Sequence, residues 1–266
     1  PMIVVDSHCH ASRDWFEPVE TLLYEIDRNE VEYAVLIQIS SEYDNSYQFG
    51  CLRRYPGRFL CVVRVDEQSP TALADLERLK ERGAHGVRFF ATTRSPGDDP
   101  LAIWRQAAAL RLPVSCLGAS TAEFAADDFA RLVQELPDLP IVVEHLGARN
   151  FPDGEQPPYP LRRQVFELAR FPNVYLKFHG LGEFTPRQMP FVEPRPFGPE
   201  IPPLLEMAYE AFGPERLMWG SDFPPVASRE GYRNALRLPM ERLAAKGAQA
   251  LAQMFGGTAL KVFGPA

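Results

Sequence analysis

No stretch of this chain is apolar over anything close to the roughly 20 residues that a bilayer-spanning helix needs, so no membrane is expected as partner. Basic residues do not predominate either: 28 Lys and Arg stand against 35 Asp and Glu, a formal net charge of −7. Phosphate backbones are bound by clustered Lys and Arg, which argues against a nucleic-acid surface. Cysteine is scarce, and Cys9, Cys51, Cys61 and Cys116 show no C-x-x-C spacing. In a chain of 266 residues they read as buried or free thiols of a reducing compartment, and a cytoplasmic location is expected. A strand pattern begins almost at the first residue, which leaves no room for a signal peptide. A glycine-rich phosphate loop is also missing after the first candidate strand, where Asp6-Ser7-His8-Cys9-His10 stands instead.

What is present is a regular alternation of short apolar runs with longer amphipathic stretches. Candidate strands are Ile3–His8, Tyr33–Ile39, Phe59–Val65, His85–Phe90, Pro113–Leu117, Ile141–His145, Val174–Phe178 and Leu217–Ser221. Candidate helices between them are Pro18–Asn29, Thr71–Arg82, Leu101–Leu110, Glu123–Leu136, Pro160–Ala169, Pro202–Phe212 and Arg229–Ala245, with Ala248–Phe255 closing the chain. Eight strands in βα alternation within one domain-sized length favour a single (β/α)8, or TIM, barrel over residues 1–266. Without the phosphate loop, an open doubly wound sheet loses its main support. Proline, at 26 residues, clusters at 151–160 and 185–203; these stiff segments follow strands six and seven, where a barrel places substrate loops.

Histidine is rare, with five residues in all, and three of them fall at strand ends on one rim. His8 and His10 flank Cys9, so on a strand their side chains share a face while Cys9 points to the helices. Two imidazoles there can hold a metal ion or polarise a carbonyl, and Asp6 can orient one ring. His145 closes Ile-Val-Val-Glu-His, and Asp222 closes Leu-Met-Trp-Gly-Ser-Asp. A carboxylate at such a mouth costs free energy unless it is paired, hydrated or bound to a cation, so a functional role is expected for Asp222. Arg64 and Arg88 carry guanidinium forks that suit a substrate carboxylate, or an ion pair inside the barrel. Lys177 and His179 share the inner face of strand seven; Lys177 can neutralise a buried carboxylate and His179 can line the pocket. His85 begins strand four, at the wrong end for chemistry. Cys116 ends strand five and is expected to approach the pocket without a base beside it.

These residues lie within longer stretches that resemble the amidohydrolase superfamily, in its amidohydrolase 2 branch. They are Val-Val-Asp-Ser-His-Cys-His ending at His10, Tyr43-Asp44-Asn45, Tyr55-Pro56-Gly57-Arg58-Phe59, Gly86-Val87-Arg88, Glu144-His145-Leu146-Gly147 and Phe212-Gly213-Pro214-Glu215-Arg216-Leu217-Met218-Trp219-Gly220-Ser221-Asp222-Phe223-Pro224. Within that branch, the Asp44-Asn45 segment and the proline-rich loops are similar to sugar-lactone and pyrone-dicarboxylate lactonases. The resemblance implies hydrolysis of a lactone or related ester bearing a carboxylate or hydroxyls. Asp222 would activate water, with His8, His10 and His145 as the other catalytic residues, and Arg64, Arg88, Asn45, His179 and Lys177 would bind substrate. It further implies one divalent ion, zinc or manganese, on His8, His10, Asp222 and His145, or catalysis without metal.

Two departures bear on that choice. Relatives with a metal centre carry a histidine at the end of strand five, where this chain reads Ser115-Cys116-Leu117-Gly118. Binuclear relatives carry a modified lysine on strand four, where Arg88 stands, so a binuclear centre is not expected. The alternatives are a metal-dependent non-oxidative decarboxylase of aromatic or muconate-type acids, and a scaffold barrel without chemistry. Clustered titratable groups at one rim argue against the scaffold. The expected partner is a small-molecule substrate, taken by a monomer or a homo-oligomer.

Overall fold

The computed structural model describes residues 2–148, 154–190, 197–198 and 200–264. Eight parallel strands run β1 (Val5–Cys9), β2 (Tyr33–Ile37), β3 (Phe59–Val63), β4 (Gly86–Phe90), β5 (Val114–Leu117), β6 (Ile141–Val143), β7 (Val174–Phe178) and β8 (Leu217–Trp219), each hydrogen-bonded to its neighbour in sequence. The first and last strands meet through Asp222 N to His8 O (2.8 Å) and His10 N to Phe223 O (2.8 Å). The expected TIM barrel is thus the observed fold.

Helices cover the outside: α1 (Val19–Arg28), α2 (Ser46–Arg54), α3 (Ala72–Glu81), α4 (Ala102–Ala109), α5 (Thr121–Ala125), α6 (Asp127–Glu135), α7 (Pro160–Phe166), α8 (Leu204–Phe212), α9 (Tyr232–Arg242), α10 (Ala248–Ala252) and α11 (Thr258–Phe263). The sequence pattern did not reveal α2, whose polar stretch SYQFGCLRR carries Gly50 in its middle and so has weak helix propensity. The expected helix Glu123–Leu136 is two helices, because Ala126 is extended (φ −68°, ψ 141°) between α5 and α6. Among the described residues no helix is long and apolar enough to cross a membrane.

Alternation along the strands divides the core into two layers, as a closed barrel requires. Outward residues such as Cys9, Leu36, Cys61, Phe89, Cys116, Val143, Leu176 and Trp219 pack on the helices. Inward residues Val5, Val35, Ile37, Leu60, Val62, Val142, Tyr175 and Met218 fill the lower barrel, and Ala259 and Phe263 of α11 plug its floor. Burying one such phenylalanine contributes about 1.5–3 kcal/mol. Cys116 therefore corrects an expectation: it faces the helices, and burial pushes its thiol well above the ordinary range. Cys9 faces the same way, as expected.

Candidate active site

Above the apolar floor the inward side chains turn polar. His8 on β1 and His10 just beyond its end both point inward, despite a register irregularity between Asp6 and Cys9. Asp6 does not orient an imidazole. It accepts from the amides of His8 (3.2 Å) and Ser221 (2.8 Å) and from the Tyr232 hydroxyl (2.7 Å), tying β1 to the segment after β8. Gly220 is required at that junction, since a Cβ there would stand 2.6 Å from His8 Cβ. The result puts Asp222 Oδ1 3.8 Å from His8 Nε2 and 3.7 Å from His10 Nε2.

Those separations are long for hydrogen bonds but close to the edge between two donors about 2.0–2.2 Å from one ion. His10 Nδ1 donates to Ile37 O (2.8 Å), which leaves Nε2 as the ligating nitrogen. His8 Nε2 and His179 Nε2 are buried with no hydrogen-bond partner among the described residues, and His179 Nδ1 donates to Gly220 O (2.8 Å). His8, His10 and Asp222 form a set able to hold a divalent ion, and two further sets adjoin it: His8, Glu144, His145 and His145, His179, Glu183. The donor chemistry therefore fits a divalent cation.

His145 follows β6 in a tight turn, Glu144–Gly147, in which His145 (φ 55°, ψ 33°) and Leu146 (φ 53°, ψ 29°) are left-handed. Its Nδ1 meets Glu183 Oε1 at 2.7 Å. Burial pushes the His145 pKa down, but the Glu183 carboxylate overrides it and the net direction is up. Glu183 itself, despite burial, is held at about 2 by His145 and His179. Arg229 joins the two acids, its NH1 donating to Asp222 Oδ2 at 3.0 Å and lying 3.6 Å from Glu183 Oε1. Burial raises the Asp222 pKa, yet His10, His145, His179 and Arg229 together hold its carboxyl well below the usual range. His8 and His179 go the other way: burial, with neighbouring cations, lowers both, His179 to about 4. The centre thus sets two carboxylates held low, Asp222 and Glu183, among imidazoles shifted in opposite directions, His8 and His179 down and His145 up.

Beneath it lies a buried ionic layer. Arg88 grips Glu144 with both arms (Nε to Oε1 3.0 Å, NH2 to Oε2 2.6 Å). Ser115 Oγ donates to the same carboxylate (2.7 Å), and Lys177 Nζ donates to Ser115 Oγ (2.8 Å) and stands 3.4 Å from His8 Nδ1. Burial opposes ionisation of Glu144, but Arg88 and Lys177 hold it near 2.

A cavity of about 330 Å³ opens on this centre, lined by His10, Arg88, His145 and Asp222 with Phe16, Ile39, Leu117 and Pro225 among its walls. His8, His179 and Lys177 lie just below its surface, fully buried. Arg64 does not line it. Its guanidinium is packed between Tyr43 and Phe90, bonded to Glu67 Oε1 (2.8 Å) and Ser40 O, beside a separate cleft. Asn45 bonds the backbone of Arg64 at both N (3.0 Å) and O (2.8 Å) and so shapes the rim rather than the cavity. No described residue of 151–160 or 185–203 lines the cavity; 151–153, 191–196 and 199 lie outside the described residues. Sequence reading missed Glu183, Arg229, Glu144 and Ser115 as members of the site. Glu144 stood beside His145 in a quoted stretch, but a charged residue before a strand end carries no sign of its own.

A family model described as Amidohydrolase matches residues 5–264. A 4-sulfomuconolactone hydrolase of Hydrogenophaga intermedia is 26% identical over 199 residues, covering 74% of this chain and 60% of that protein. The chain therefore matches less than two thirds of that relative's length. An L-fucono-1,5-lactonase of Burkholderia ambifaria is 26% identical over 284 residues, covering 96% of this chain and 93% of its own. Among solved structures, an amidohydrolase from Burkholderia multivorans with bound zinc superposes with a TM-score of 0.75 at 19% identity, covering 99% of this chain and 100% of that one.

Proposed function

Because this chain belongs to the amidohydrolase 2 family, we propose that it is a hydrolase that opens a small lactone or related ester by attack of water. The observation that carries the reading is the convergence of His10, His145 and Asp222 on one cavity of about 330 Å³, the size of a small cyclic substrate. The lactone-hydrolysing relatives support it at the level of reaction type.

In this reading Asp222, kept ionised, takes a proton from water as it attacks the carbonyl and returns it to the leaving ring oxygen. His145, whose protonated form Glu183 favours, donates to the carbonyl oxygen as charge develops there. One such donor is worth about 3–4 kcal/mol at the transition state. A divalent ion held by His8, His10 and Asp222 would add Lewis-acid polarisation of that oxygen. Arg88 faces the substrate's ring substituents, and with its fork on Glu144 it offers N–H donors to a hydroxyl or carboxylate rather than a free cation. The reading is tested by a panel of sugar and carboxylated lactones with aryl carboxylic acids as counter-substrates. Acid release from lactones is the expected result; carbon dioxide release from the aryl acids, with every lactone left intact, would refute it.

A further inference from the structure

The turn that carries His145 has an unusual requirement. His145, Leu146 and Gly147 are left-handed in succession (φ 55°, 53° and 105°), and only the third is glycine. L-residues enter this region singly and at a cost, so two together persist only where the surroundings over-determine them. Within the turn the His145 carbonyl accepts from the Ala148 amide (3.1 Å), whereas the Leu146 and Ala148 carbonyls take a side-chain donor.

That donor is Arg162. Its side chain is buried, and its NH1 reaches Leu146 O at 2.5 Å, Ala148 O at 2.9 Å and, more loosely, His145 O at 3.4 Å. Arg162 is in turn fixed by its own helix. The Glu155 carboxylate accepts from the amides of Leu161 (2.6 Å) and Arg162 (2.9 Å), anchoring the start of α7, and Pro160 sets its first turn. The Arg162 Nε is buried with no hydrogen-bond partner among the described residues, and burial lowers the guanidinium to about 10, which still leaves it charged at neutral pH. A buried cation held by backbone carbonyls is costly packing for a surface helix; its hydrogen bonds toward the site go to the turn, and its charge also acts on Glu183.

We propose that Arg162 is a positioning residue for His145, clamping the left-handed turn after β6 so that the imidazole faces Glu183 and the cavity. The inference rests on the hydrolytic reading only in assigning His145 a part in turnover; the clamp itself is a claim about the conformation of residues 145–148. Replacement by methionine fills the space without the donors, and Arg162→Lys restores one cation at the end of a shorter reach.

The test follows the His145 imidazole by ¹⁵N-edited NMR in the whole protein, alongside steady-state kinetics on whichever lactone is turned over. Arg162→Met is expected to shift and broaden the His145 signals. Its kcat should fall about 10- to 100-fold at a temperature well below its melting transition, with KM nearly unchanged. Arg162→Lys should fall between the two, and methylguanidinium added to Arg162→Ala should restore part of kcat saturably. Native His145 signals with unchanged kcat in folded Arg162→Met, or in Arg162→Lys should the methionine variant not fold, overturn the proposal. If no lactone is a substrate, the hydrolytic reading falls while the NMR arm still decides the clamp.

Discussion

His145 and Glu183, on segments following β6 and β7, form a buried pair with Nδ1 and Oε1 2.7 Å apart. Burial alone lowers the histidine pKa, so the net upward direction measures how strongly the carboxylate prevails. Because the folded value is raised, the histidine's contribution to stability is fully present below the unfolded value of about 6.5 and is lost as pH rises through the folded one, whereas the carboxylate's is present above its unfolded 4.5 and is lost as pH falls towards about 2. Glu183→Gln should lower the His145 pKa in an NMR titration and reduce kcat about 10- to 100-fold. A variant with unaltered titration and turnover would remove Glu183 from the mechanism.

Asp222→Asn keeps the shape of the side chain but not its charge. Turnover should fall by about 10²- to 10⁴-fold, the range expected for a lost general base, while the circular dichroism spectrum stays native. Substantial residual activity in that variant would exclude Asp222 as the base.

The donor set also predicts metal binding. Protein stripped with chelator and dialysed against zinc should take up the ion, measured by elemental analysis. His10→Asn and Asp222→Asn should lower the amount retained, since both belong to one set. Equal zinc retention by both variants would place any bound ion elsewhere.

Arg88 holds Glu144 with both arms inside the barrel. Arg88→Met leaves the carboxylate with Ser115, Lys177 and the more distant His8 ring, and loss of one partner of a buried pair costs about 3–5 kcal/mol. For a chain of this size that is a fall of roughly 10 °C in melting temperature. The double variant Arg88→Met, Glu144→Gln should regain part of the loss in calorimetry. A single variant as stable as the parent would show the pair to be dispensable.

Glu230 gives the opposite pH signature to an ordinary carboxylate. It is packed against Gly180 and Gly182, and burial raises its pKa from 4.5 to about 7 even with Arg229 beside it. The folded state therefore holds this proton more tightly, and stability declines as pH rises from about 4.5 to about 7, by roughly 3 kcal/mol at most. Denaturant titrations at pH 5 and pH 8 should show that decline, and Glu230→Gln should flatten it. Parallel pH dependence in both proteins would contradict the assignment.

The barrel and four central residues were legible in the sequence because each rests on a local signal. Period-two apolar runs mark strands, and a histidine or aspartate that ends such a run sits at the mouth. Strand parity also placed Lys177 and His179 inward and Cys9 outward. It failed for Cys116 because the reading weighted its nearness to the strand end over its parity with Ser115. Arg64 and Asn45 were out of reach for a different reason. The Arg64 guanidinium is set by Tyr43, Glu67 and the end of β4 at Phe90, and Asn45 by the Arg64 backbone, contacts that join separate segments of the chain. Glu183 ends a short 3-10 turn and Arg229 lies before α9 although the sequence pattern had it start a helix, and only the closed fold shows that they converge on Asp222.

The Ser221 amide on the Asp6 carboxylate and the Asp222 amide on the His8 carbonyl are where the first strand finds the last. The candidate centre stands directly over this seam, so its donors are gathered only when the ring of strands is complete. Turnover is then a reporter of closure: a chain able to form any run of neighbouring strands, yet stopped short of joining its two ends, would hold most of its core and none of its chemistry. Relocating the termini to a connection on the far side of the ring would spare the centre, whereas loosening this one junction would silence it while leaving seven of the eight strands in place.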